Sequence, residues 1–144
     1  WARMADIAAP AIATSLCFIR LGNQFNHEIV GRATDVAWAF RFHFYERNAI
    51  PRHPTQIYES LFHLGCAVVL ASLRRDGLLA GHLFKLYLLV YSIYRFATEF
   101  IRPEAKLWGG WTGYQWAAVV MAVVFGALWW AQSRTGQRDV EPVG

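Results

Sequence analysis

The sequence predicts an all-α integral membrane protein with about four transmembrane helices and one long polar segment between the first and the second. Two observations predict it. Of the 144 residues, 56% are hydrophobic and only 17% charged, against about 25% charged in an ordinary soluble domain. The charge is also missing from long windows rather than thinned evenly, which is the pattern of spans in lipid and not of a large soluble core. The lipid bilayer is therefore the first partner. A membrane-embedded unit over residues 1–133 and a polar C-terminal tail over 134–144 follow. The chain opens on Trp1 as if in the middle of a protein, so upstream helices are expected.

The first apolar stretch, Ile7–Gly22, is rich in small residues (Ala8, Ala9, Ala11, Ala13, Ser15) that let helices approach closely in lipid. It is short for a span of about 20 residues, so an earlier start near Met4 is expected. A polar and aromatic segment, Asn23–Thr55, follows; its irregular backbone has to lie outside the bilayer or be covered by protein. Within it, the alternation of Ala39, Phe40, Arg41, Phe42, His43 and Phe44 reads as a short strand or hairpin arm. The second span runs from Pro54 to Leu73, ending at Arg74-Arg75-Asp76-Gly77. The third runs from Ala80 to Ile101, stopped by Pro103, and the fourth from Tyr114 to Ala131.

Alternating the spans puts the Arg74/Arg75 turn and the tail with Arg134 and Arg138 on one side. The positive-inside rule favours that side as cytoplasmic. The other side carries Arg32, Arg41, Arg47, Arg52, Arg102 and Lys106, more basic charge than the rule allows unless those residues serve a ligand. The formal charge of +4 comes from arginine; Lys85 and Lys106 are the only lysines. Arginine's planar fork suits phosphate or carboxylate. No basic stripe on a soluble fold supports nucleic acid as a partner. Cys17 and Cys66 sit in apolar stretches as small core residues. His27-Glu28 begins a zinc-protease pattern, but Gly31 stands where the second histidine is needed, and His43, His63 and His82 lack ligand spacing. No metal or cofactor is expected.

Three polar constellations carry chemistry. In the third span Tyr91, Arg95 and Glu99 are spaced by four and Arg102 follows by three, so all four share one helix face. Arg95 lies roughly 10 Å from the helix end, where an unpaired arginine costs at least about 2.5 kcal/mol. An Arg95–Glu99 pair alone would cancel charge; a second arginine and a tyrosine on the same stripe favour a site. The end of the first span supplies Arg20, Asn23, Asn26, His27 and Glu28, with Gly22 and Gly31 able to bring backbone close to a ligand. Between them runs Arg52-His53-Pro54-Thr55-Gln56-Ile57-Tyr58-Glu59. Thr55 could cap the second helix and Glu59 could complement its dipole, which leaves His53, Gln56 and Tyr58 unexplained as structural residues.

Together these motifs resemble the prolipoprotein diacylglyceryl transferase family. Its signature Gly-Arg-x-Gly-Asn-Phe-x-Asn-x-Glu-x-x-Gly is matched in register by Arg20, Gly22, Asn23, Asn26, Glu28 and Gly31. The run from Arg52 to Glu59 is similar to its R-H-P-S-Q-L-Y-E segment, and Tyr91 through Pro103 to its Y-G-x-F-R-F-x-x-E-F-x-R-x-P segment. Asp6 to Pro10 and Gly113 to Gln115 also fit. The chain departs from the pattern at Ile19 (glycine in the family), Gln24 (phenylalanine) and His27 (a small residue), and it lacks the family's upstream histidine-glycine-glycine segment.

The resemblance implies a bacterial inner-membrane enzyme, multi-pass, with a cytoplasmic C-terminus. It would move diacylglyceryl from phosphatidylglycerol to the lipobox cysteine thiol of a preprolipoprotein. It implies catalytic roles for Arg20 and Arg95 on the phosphate, Glu99 orienting Arg95, Tyr91 lining the pocket, and His53 or His27 in place of the absent upstream base. Asn23 and Asn26 would donate to the glycerol head, Glu28 and Arg102 would form an outer shell, and Gly31, Gln56 and Tyr58 would line the substrate. The alternative is a non-catalytic relative that binds anionic phospholipid; a transporter fragment is a weaker third reading, since buried Arg–Glu pairs also mark ion pathways.

Overall fold

Helix α1 (Ala2–Phe25) begins earlier and ends later than its apolar core and so reaches 24 residues. It contains Pro10, and the Thr14 hydroxyl bonds back to the Pro10 carbonyl at 2.8 Å. Helix α2 (Thr55–Arg75) follows the polar segment, α3 (Leu83–Thr98) continues into a 3-10 turn at Glu99–Ile101, and α4 (Gly113–Arg138) closes the chain. The computed structural model describes residues 2–45 and 47–138. Among the described residues, three helices are long and apolar enough to cross a membrane: Ala2–Phe25, Thr55–Arg75 and Gly113–Arg134. The third expected span, Ala80–Ile101, falls on α3, whose 16 α-helical residues are fewer than the others and leave it outside those three. It gains its remaining length from the 3-10 turn, and Arg102 then leaves the helical course.

The helices run up and down. α1 packs mainly on α2 and α3 mainly on α4; in the first pair the fully buried Ala9 and Ala13 present only methyl groups and let α2 approach closely. The shared core joins them to Ala67, Leu70, Leu83 and Tyr87. Cys17 is buried as expected, its sulfur 3.1 Å from the Ser60 hydroxyl. Large apolar side chains such as Phe18, Leu61, Ile93 and Val123 are more than half exposed, the outward surface of spans made for lipid. α4 starts with a reciprocal cap: Gln115 N donates to Thr112 Oγ1 and Thr112 N donates to Gln115 Oε1. It extends through Arg138, so the expected tail begins as helix; residues 139–144 of that tail lie outside the described residues.

The alternating run 39–44 yields only a two-residue strand. β1 (Phe40–Arg41) pairs antiparallel with β2 (Pro51–Arg52). Pro51 has no N–H to donate, which limits the ladder. The polar segment is instead fastened to the bundle by single bonds, Arg32 N donating to Ile101 O and Gln56 Nε2 to Glu28 O, and is tied within itself by Gly31 N donating to His53 O. Thr55 does not cap α2; its hydroxyl donates to Ile29 O at 3.0 Å. Ile29 has a φ of 56°, unusual for a β-branched residue, and the bonds to the carbonyls on either side of that dihedral pin it.

Candidate active site

At the end of the bundle where the polar segment docks, three arginines and two glutamates meet. Arg20 comes from the last turns of α1, Glu59 from the first turns of α2, Arg95 and Glu99 from the end of α3, and Arg102 from the chain just beyond it. Glu59 is the hub. Its Oε1 lies 3.2 Å from Arg20 and its Oε2 accepts a hydrogen bond from Arg102 at 2.7 Å. Arg95 and Glu99 sit 2.9 Å apart across one helical turn. The Arg95 guanidinium also lies over the Tyr114 ring of α4, 4.5 Å from its centre, a cation–π contact that leaves the charge in place.

Three guanidiniums against two carboxylates leave one net positive charge in a region with little water. Glu59 and Glu99 are at most 3% exposed and Arg102 8%. Burial, and then the neighbouring Arg95, pull the Arg102 guanidinium below its ordinary range, opposed by Glu59. Several buried atoms here also lack hydrogen bonds: Arg20 Nε, Arg102 Nε, Gln56 Oε1 and His63 Nε2. Arg95 and Glu99 are close but misaligned, so their ion pair is Coulombic rather than directional. Buried polar groups that protein does not satisfy cost about 1–3 kcal/mol each. The cluster thus has a net positive charge and unmet guanidinium donors to offer a polar ligand of negative charge.

The expected site residues divide. Arg20, Arg95, Glu99 and Arg102 come together; Arg102, expected in an outer shell, is buried and bound directly to Glu59. Tyr91 packs face to face on His63, ring centres 5.4 Å apart, on the same stripe. Gln56 is 1% exposed and ties the polar segment to α2. Gly31 makes its close approach to protein: an added Cβ would lie 2.6 Å from the His53 carbonyl oxygen. His53 Nδ1 is 3.2 Å from the Tyr58 hydroxyl, which accepts a bond from Trp38 Nε1 at 2.7 Å. Asn23 is half-buried near Arg20, while Asn26 and Glu28 are exposed. His27 lies among Phe40, Phe42 and Phe44, accepting a bond from Phe44 N.

Two residues escaped the motif reading. Glu59 looks like a helix-dipole residue in sequence, yet it joins two arginines from different elements. His63, one turn further along α2, is completely buried and bonds Tyr87 Oη at 2.9 Å. The signal for both was available: two ionisable residues four apart at the start of an apolar span need buried partners.

The prolipoprotein diacylglyceryl transferase model matches residues 1–131. Relatives named phosphatidylglycerol–prolipoprotein diacylglyceryl transferase include one from Pseudomonas putida, 36% identical over 90% of this chain and 51% of its own length. Another, from Polaromonas naphthalenivorans, is 34% identical over 96% of this chain and 54% of its own. A third, from Geobacter sulfurreducens, is 39% identical over 72% of this chain and 40% of its own. The chain thus spans about half the length of the curated relatives it matches. No solved structure matches it. A family model covering all but the last residues, three helices fit to span a membrane and the buried arginine cluster agree: the chain belongs to the prolipoprotein diacylglyceryl transferase family.

Proposed function

We propose that the protein containing this chain transfers diacylglyceryl from phosphatidylglycerol to the lipobox cysteine thiol of a preprolipoprotein. The observation that carries this is the net positive, buried Arg20–Glu59–Arg102 and Arg95–Glu99 cluster at one end of the bundle. In the reaction a carbon–sulfur bond forms and the carbon–oxygen bond to phosphate breaks. Glycerol phosphate leaves, and the thiol proton goes to a base. Negative charge builds on the leaving phosphate, so fixed cationic donors aimed there lower the barrier.

Arg20 and Arg95 hold the phosphate. Arg102 shares Glu59 with Arg20 and adds charge behind it. Glu59 and Glu99 fix the forks, which otherwise repel one another. Tyr91 lines the pocket, Asn23 and Asn26 donate to the glycerol hydroxyls, and Gln56, Tyr58, Gly31 and Glu28 shape the entrance. His53, oriented by the Tyr58 hydroxyl, is the base on this chain, with His27 as the second choice. A thiol near pKa 8.5 needs such a base at neutral pH. The protein sits in a bacterial cytoplasmic membrane with its C-terminus on the cytoplasmic side.

The test is transfer from labelled phosphatidylglycerol to a lipobox peptide by the complete gene product in detergent or nanodiscs. Thioether formation that depends on phosphatidylglycerol supports the enzyme. Binding of the lipid with no thioether formed reassigns the protein as a non-catalytic binder.

A further inference from the structure

The opposite end of the bundle carries its own charges, which diacylglyceryl transfer does not use. Asp6 lies fourteen residues before Arg20 on α1, hence ~21 Å along the axis. Lys85 lies ten residues before Arg95 on α3, hence ~15 Å along it. Both groups therefore lie well away from the arginine–glutamate cluster, toward the other face of a hydrocarbon core about 30 Å thick.

Asp6 is 6% exposed and occupied by backbone: Oδ2 accepts from Gly81 N and Oδ1 from Phe84 N at 3.1 Å. It caps the start of α3 from a different helix. Lys85, 9% exposed, donates to His82 Nδ1 at 3.0 Å and to Gln132 Oε1 of α4. An ammonium has three donors, so one remains. Two neighbouring cavities share Asp6 and Gly81. One of about 300 Å³ is lined by Arg3 and Arg74; the other, of about 470 Å³, is lined by Lys85 and Gln132. Both have apolar walls, Ile7 and Leu83 in the first and Met4 and Phe84 in the second.

We propose that this end is a second phosphate-binding site, in which Arg3, Arg74 and Lys85 hold a phosphate head group in the leaflet opposite the arginine–glutamate cluster. Three cations line these two cavities against one carboxylate, and backbone N–H groups already engage that carboxylate's oxygens. The excess is therefore positive. Apolar walls beneath a cationic rim suit an amphiphile, whereas water alone would hydrate a bare rim. A phosphate carried by a lipid and a free phosphate share this chemistry, and Arg forks bind either.

The test uses the complete gene product in nanodiscs containing a phosphatidylglycerol with a photoreactive head group, with crosslinked peptides mapped by mass spectrometry. Label is expected in peptides covering residues 2–7 and 77–85. It is expected to fall on the order of tenfold in an R3Q/R74Q variant, the loss of charge-assisted bonds to phosphate. Lys85→Arg retains the label, and Arg20→Ala leaves it unchanged, which separates this site from the transfer site. Competition by millimolar inorganic phosphate assigns the site to free phosphate, and no competition assigns it to the lipid. Absence of label from those peptides, equal label from a phosphatidylcholine probe, or label unaffected by R3Q/R74Q in a variant that melts like the parent overturns the proposal.

Discussion

The two ends of this bundle bury charge in different ways. At the Asp6 end the carboxylate is met by backbone N–H groups of α3, and Lys85 by the neutral acceptors His82 and Gln132. At the Glu59 end, charge meets charge: three arginines and two glutamates from α1, α2, α3 and the chain after α3 face one another, with guanidinium nitrogens left without hydrogen bonds. The first arrangement satisfies its carboxylate at the start of α3 and leaves its surplus cations, Arg3 and Arg74, on the cavity rim. The second is electrostatically unfinished, and a unit that only needed to fold would gain as much from apolar residues of similar volume.

The sharpest way to break this contrast is to remove each central carboxylate in turn. Glu59→Ala leaves the buried Arg102 and the half-buried Arg20 without their partner and is expected to cost about 3–5 kcal/mol. Asp6→Ala frees two backbone donors and is expected to cost about 1–3 kcal/mol. Thermal unfolding of the purified complete gene product measures both; equal losses would erase the difference between the ends.

A smaller change sharpens it. Arg20→Lys keeps the charge but loses the planar fork, so transfer is expected to fall at least about tenfold with membrane insertion unchanged. An activity equal to the parent would mean that only net charge is needed. Thr55→Val removes the bond to the Ile29 carbonyl and is expected to cost about 1 kcal/mol. Faster proteolysis between residues 26 and 54 is its readout.

The smallest effect lies at the opposite end. Burial, and then the charge of Lys85, hold the His82 imidazole below its ordinary pKa. The folded state therefore keeps His82 neutral while the unfolded chain takes up a proton as pH falls through about 6.5. Stability is present above that pH and is lost below it. Melting at pH 5.5 and 7.5 should show this slope, and His82→Gln should flatten it.

Three of the spans were legible in the sequence because each holds a long apolar window with little charge, and the Arg95–Glu99 pair was legible because a helical turn brings four-apart residues together. Arg20 and Arg102 stood out as costly charges, but their common partner did not. Glu59 has a sufficient local explanation at the start of α2, and pairing across three elements leaves no periodic trace. Thr55 misled for the same reason: a good cap residue was taken by a tertiary bond to Ile29. The alternating run 39–44 overstated its strand because Pro51 stands opposite Arg41.

The most direct test of the anion site is phosphatidylglycerol binding by the complete gene product, compared between the parent and Arg20→Ala in phosphatidylcholine nanodiscs. Losing a charged hydrogen-bond donor worth about 1.5–3 kcal/mol should weaken binding about 10- to 100-fold while the helical content is unchanged. Unchanged affinity in a folded Arg20→Ala protein would contradict the assignment of the cluster to the phosphate.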